Sequence, residues 1–132
     1  MTWGAVGYSN RAQSFADSYV ERLTGYFVPP YNATYTFYAA GDDWNDFSLS
    51  TNASASGLQV VSLVTGFSPF NYPWWGTASQ ISAARNLTGG QRYYFRMRHM
   101  EGGGLDWMRV AVRISNFPDS GVCQLCAVLL LQ

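Results

Sequence analysis

Residues 34–46 read Thr34-Tyr35-Thr36-Phe37-Tyr38-Ala39-Ala40-Gly41-Asp42-Asp43-Trp44-Asn45-Asp46. The first five are all aromatic or β-branched, the side chains that fit a half-buried pleated surface, so Thr34 to Tyr38 is expected to be a buried strand. From Gly41 onward the chemistry reverses: Asp42, Asp43 and Asp46 bring carboxylates, and Asn45 an amide. A strand that leaves the core into such a knot delivers its carboxylates to one place. Adjacent side chains on an extended backbone splay to opposite faces, so aiming Asp42 and Asp43 at one point requires an unusual backbone, a cis peptide among the options. A hard cation such as Ca2+ would hold that arrangement, because it gathers oxygens from carboxylates, amides and main-chain carbonyls. The ordinary alternative is a solvated turn, for which Gly, Asp and Asn are common residues.

Working outward, Glu21 to Val28 (ERLTGYFV) is an expected strand that Pro29-Pro30 stops, and Tyr31-Asn32-Ala33 turns the chain into the central strand as a hairpin. Phe47 to Ser50 alternates briefly, Thr51 to Gly57 is a small-residue loop, and Leu58 to Val64 is a further strand. Gly66 to Gly76 is an irregular aromatic loop. Ile81 marks a short strand before the turn at Asn86 to Gly90. From Gln91 to Met100 the residues alternate, with Tyr93, Phe95, Met97 and His99 on one face. A Gly-rich turn follows, and Met108, Val110, Val112 and Ile114 continue an apolar face on what is expected to be the returning arm of a hairpin. No long segment has helical periodicity. Many short strands with turn signals between them define an all-β, antiparallel sandwich or jelly-roll-like module.

At 132 residues the chain is long enough for one domain with a core of its own. Aromatic residues at 17% and charged residues at 12% exclude a disordered chain. A formal net charge of zero gives no general attraction to nucleic acid or membrane. Met1 to Gly4 lacks the basic start and apolar core of a leader, so a secreted origin implies a longer chain or a leader already removed. Ala127 to Leu131 is too short to span a bilayer and is expected to add a strand or to meet another module.

Thr24 to Pro30 (TGYFVPP), then Ala33 to Tyr38 and Gly41-Asp42-Asp43, resembles the signature of the anthrax protective-antigen fourteen-kilodalton domain family. Leu87 to Tyr94 (LTGGQRYY), with His99 and Glu101 to Asp106 (EGGGLD), is most similar to its fibrocystin-type members. The resemblance spans about Tyr19 to Ile114, which sets the expected domain at 19–115, with an N-terminal extension at 1–18 and a C-terminal tail at 116–132. It implies a lectin-like β-sandwich that serves carbohydrate binding or structural roles outside the cell. In the flocculin branch, paired Asp residues and an Asn of a second loop hold Ca2+, which in turn holds sugar hydroxyls. Asp42 and Asp43 match the first loop. The second loop, Glu101 to Asp106, contains no Asn, so Asp106 and the carbonyls of Gly102 to Gly104 would complete the cage.

Asp42, Asp43 and Asp106 are therefore the expected Ca2+ ligands, and Trp44, Asn45, Trp74, Trp75, Glu101 and Gly103 the expected ligand-binding residues. Trp74-Trp75 offers a stacking platform for a sugar ring, or else caps the end of the sandwich. His99 reads as a structural histidine. No nucleophile has a visible base partner, and adjacent carboxylates do not suit hydrolysis across a substrate, so no enzyme is expected. Cys123 and Cys126 have the spacing of a redox pair or of half a zinc site, without the other half or a thioredoxin-like context. A local disulfide, free thiols and links to neighbouring modules all stay open. Asn32, Asn52 and Asn86 head N-glycosylation sequons in expected turns, which favours an extracellular or cell-surface setting. Arg92, Arg96, Arg98, Arg109 and Arg113 would share one side of an ordinary hairpin as a candidate anion patch, or else form a solvated face. The partners expected are a glycan or neighbouring protein modules.

Overall fold

A computed structural model of the chain describes residues 2–6, 17–68, 77–104, 106–115 and 128–131. Trp74, Trp75, Cys123 and Cys126 lie outside the described residues. Two antiparallel sheets face each other. The first has the order β1 (Thr2–Val6), β8 (Trp107–Ser115), β3 (Ala33–Asp42), β6 (Arg85–Leu87). The second runs β5 (Gln59–Val64), β4 (Trp44–Leu49), β7 (Tyr93–Glu101), β2 (Tyr19–Val28), β9 (Val128–Leu131). One strand from each end of the chain thus extends the edge of a different sheet, β1 beside β8 and β9 beside β2.

The interior is an aromatic stack between the sheets. Phe37 of β3 meets Phe27 of β2 edge-on at 5.1 Å and Phe47 of β4 at 5.2 Å, and Phe47 continues to Phe95 of β7 at 5.8 Å. Met97, Val110, Val112 and Ile114 close the same core. These are the residues that alternation placed inward, and the all-β sandwich follows from that alternation.

Strand pairing differs from two expectations. Consecutive strands β2 and β3 lie in opposite sheets rather than in one hairpin, and so do β7 and β8. Each connection is an arch across the sandwich. Instead β2 pairs with β7, and β3 with β8. The turns of the two quoted motifs abut: the Gly90 N–H donates to the Pro29 carbonyl at 2.8 Å, and a Cβ on Gly89 would stand 2.9 Å from the Tyr31 backbone. Ile81 forms an isolated bridge to Tyr38 rather than a strand, and the short strand falls at Arg85–Leu87.

The free edge of β3 decides where its acidic end is held. β6 covers only Ala33 to Tyr35. Beyond it, loop residues supply the missing partners. Ser82 Oγ accepts from the Phe37 N–H and the Ser82 N–H donates to the Phe37 carbonyl, both at 2.8 Å. Gln80 Nε2 donates to the Ala39 carbonyl at 3.0 Å, and Ser68 Oγ accepts from the Gly41 N–H at 2.9 Å. Buried main-chain groups demand such partners, so three polar side chains that look like ordinary loop residues in sequence are part of the interior.

Candidate functional site

β3 ends at Asp42 and β4 begins at Trp44, and the Asp42–Asp43 peptide between them is cis. Gly41 is required just before it, because a Cβ there would lie 2.5 Å from the Trp107 carbonyl of β8. Three supports fix the corner. The His99 ring Nε2–H donates to the Asp42 carbonyl at 2.6 Å, which sets the tautomer, since a carbonyl can only accept. Asn45 Nδ2 donates to the Asp43 carbonyl at 2.9 Å, and the Gly102 N–H donates to Asp43 Oδ2 at 2.9 Å. His99 is buried, stacks edge-on with Tyr19 at 5.8 Å, and has Nδ1 at 3.5 Å from Glu21 Oε1. It supports the corner from behind.

At this corner Asp42, Asp43 and Glu101 each bring a carboxylate oxygen within 4.8 Å of the others. Glu101 is 1% exposed; its Oε2 accepts from the Asp43 N–H at 3.2 Å, while its Oε1 has no hydrogen-bond partner among the described residues. Asp43 and Glu101 line a cleft of about 420 Å³ whose walls also include Tyr19, Val20, Trp44 and Met100. Burial, hydrogen bonding with Asp43, and the charges of Asp43 and Glu101 raise the Asp42 carboxyl to about 6, against a weaker opposing pull from His99. Burial first, then the charge of Asp43, also raises Glu101. Like charges this close need a shared proton or a cation.

The sequence-derived site residues separate into distinct positions. Asp42 and Asp43 converge, and Glu101 joins them. Asp106 does not enter this group: it is buried, its Oδ2 accepts from the Tyr19 hydroxyl at 2.6 Å, and its charge helps raise Glu101. Asp46 lies two residues further along the face of β4 that carries Trp44, and there Arg98 grips it through Nε at 3.1 and 3.2 Å and through Nη2. Trp44 lines the cleft, with the Arg98 guanidinium 5.5 Å from its ring centre. Asn45 is fully buried behind the corner rather than in the cleft. Gly103 is exposed and faces Asp17. Asn32, Asn52 and Asn86 are all exposed, although Asn86 sits in β6 rather than in a turn. Among the described residues, sequence reading missed Tyr19 as the partner of Asp106, and it placed Glu101 among the ligand-binding residues rather than with the converging carboxylates. The adjacent EGGG run was the available signal for Glu101; nothing local marks Tyr19.

The candidate set fits a hard cation. Its convergent donors are oxygens, and the ring Nε2 of the nearby histidine is already bonded to a carbonyl, which leaves an oxygen-only site. Glu101 Oε1 has no hydrogen-bond partner among the described residues, and an ion at the corner would supply one.

The pH dependence without metal has a definite sign. Asp42 titrates near 6 in the fold against 3.8 in an open chain, so the fold holds its proton more tightly. Its contribution to stability is complete below about pH 4 and is lost as the pH rises through about 6. In metal-free buffer the stability of wild type relative to Asp42→Asn should therefore fall across that interval. Parallel thermal melts of the two proteins check it, and a constant difference would contradict it.

The two-sheet antiparallel sandwich is similar in fold to two solved adhesin domains. The chain is similar to the A domain of epithelial adhesin 9 from Candida glabrata, solved in complex with Galβ1-4GlcNAc, with a TM-score of 0.56 and 19% identity over 78% of this chain. It is also similar to the A domain of epithelial adhesin 6 from the same organism, solved with Galβ1-3GlcNAc, with a TM-score of 0.50 and 15% identity over 87% of this chain. The chain spans about half the length of each, 48% and 51%. No protein-family description and no curated protein matches the sequence. Among the described residues, no helix is long and apolar enough to cross a membrane.

Proposed function

We propose that this chain is a non-catalytic, extracellular carbohydrate-binding module that serves adhesion as part of a larger cell-surface protein, and that Ca2+ organises its sugar pocket. The observation that carries this reading is the convergence of the Asp42, Asp43 and Glu101 carboxylates within 4.8 Å beside an aromatic-walled cleft. Support comes from the glycan complexes of the two adhesin domains that share its fold. The motifs that resemble the protective-antigen family, and the exposed sequons at Asn32, Asn52 and Asn86, point the same way.

In this reading Asp42, Asp43 and Glu101 hold the ion, and the Gly102 N–H keeps the Asp43 carboxylate in place beside them. When bound, the ion supplies a Lewis-acid seat for neighbouring sugar hydroxyls. The protein's own residues do the rest. Trp44 offers an apolar ring face beside the carboxylates, and Tyr19 and Met100 bound the cleft. His99 and Asn45 keep the two aspartates aimed at one point.

A glycan array, followed by calorimetric titration with Galβ1-4GlcNAc and Galβ1-3GlcNAc, tests the reading. Binding of at least one glycan is expected with millimolar calcium and is lost with a chelator. An array that stays blank with calcium supplied would overturn it.

A further inference from the structure

The anion patch expected from a β7–β8 hairpin does not form. β7 and β8 belong to opposite sheets, so Arg109 and Arg113 are separated from Arg92, Arg96 and Arg98 by the whole sandwich. The strand that takes the place of β8 beside β7 is β2, and it brings a cation of its own. Arg22 is the register partner of Arg98, Thr24 that of Arg96, and Tyr26 that of Tyr94. Side chains two apart share a face, so Arg22, Arg92, Arg96 and Arg98 line the outer side of the five-stranded sheet. From Arg98 to Arg92 the row runs roughly 20 Å, at about 3.4 Å per residue.

Among the described residues, little neutralises this row. Asp46 is the register partner of Arg98 on its other side and is consumed by it. No carboxylate among the described residues pairs with Arg22, Arg92 or Arg96. Arg22 stands directly opposite Arg98, a like-charge cross-strand pair that costs stability unless an anion lies between or above the two. In the next row, Ser48 and Arg96 are register partners, and Ser48 Oγ and Arg96 Nε are both buried with no hydrogen-bond partner among the described residues. Aromatic rings alternate with the cations: Arg92 lies 5.5 Å over Tyr26, and Tyr26 meets Tyr94 edge-on at 5.9 Å.

We propose that this face is a second ligand site, which takes a linear sulfated polysaccharide independently of the carboxylate corner and of calcium. A row of guanidinium forks matches sulfate groups repeated along a chain, and the Tyr26–Tyr94 pair between them offers ring faces for the intervening sugars. A folded acidic protein fits less well, because the middle of the row lacks the apolar anchor around which such interfaces are built. With zero formal charge on the whole chain, the attraction is a property of this face alone.

Heparin is the probe, used with the full chain in chelator. Wild type is expected to bind, and an Arg22→Gln, Arg96→Gln double variant to bind about tenfold more weakly at low salt, with both affinities falling as salt rises. Both substitutions are on the sheet surface, and matching thermal melts verify that the fold is kept. Asp43→Asn should leave heparin affinity unchanged. Equal affinity of wild type and the double variant would overturn the proposal. So would loss of binding on calcium removal or in Asp43→Asn, which would assign heparin to the carboxylate corner. Equal or tighter binding of polyglutamate would overturn it in favour of an acidic protein partner.

Discussion

Truncating Phe37 to Ala is expected to destabilise the domain by about 3–5 kcal/mol, a large part of the total stability of a chain this size. Phe37 is 1% exposed and is a β3 residue that bridges the two sheets, touching Phe27 and Phe47 from the opposite side. Removing it deletes the buried ring and leaves a cavity that three neighbouring strands would have to move to fill. The backbone offers little relief, since Ser82 and Ser62 hold the Phe37 main chain from one side and β8 from the other. Phe37→Leu, which keeps most of the volume, should cost far less. Chemical denaturation measures both, and a loss below about 1 kcal/mol for the alanine variant would show that the interior does not depend on this ring.

Calcium should raise the thermal stability of wild type, and Asp43→Asn should remove most of that gain. An ion that binds only the folded state stabilises it by about 2.7 kcal/mol at a hundredfold excess over its dissociation constant. For a domain this size that is a rise on the order of 10 °C in melting temperature. The substitution is chosen for what it keeps. An amide oxygen at position 43 can still accept the Gly102 N–H, so the loop contact survives while the charge goes. Without metal, Asp43→Asn should be no less stable than wild type, because it removes a negative charge that raises both Asp42 and Glu101. Differential scanning calorimetry with and without millimolar calcium separates these effects. No heat and no stabilisation in wild type would sink the metal site, while leaving the heparin experiment unaffected.

The interior of the fold was legible in the sequence because strand periodicity is local. Alternation alone assigns Tyr93, Phe95, Met97 and His99 to one face, and each is buried. The cluster of Gly41, Asp42 and Asp43 after a strongly strand-forming run marked the corner for a similar reason, since side chains so near in sequence cannot end far apart. Strand partners were not legible. An arch that crosses to the other sheet and a hairpin that returns to the same one can carry the same turn residues and the same period of two. The sequence around Pro29-Pro30, and that around Gly102 to Gly104, therefore read as hairpins. That one difference moved Arg109 and Arg113 to the far side of the molecule and put Arg22 in their place.

The third carboxylate and its surroundings were decided at long range. Glu101 meets Asp43 across 58 residues of chain, and Tyr19 reaches Asp106 across 87. Asp46 shares the acidic run yet is held apart from the corner, because its register against β7 sets it beside Arg98. The buried roles of Ser68, Gln80 and Ser82 were likewise invisible, because a hydroxyl or amide in a loop has the same local signature whether it meets water or an uncovered strand edge. What a residue alternates with is written beside it in the chain. What it pairs with depends on which strands lie next to each other, and only the folded sandwich decides that.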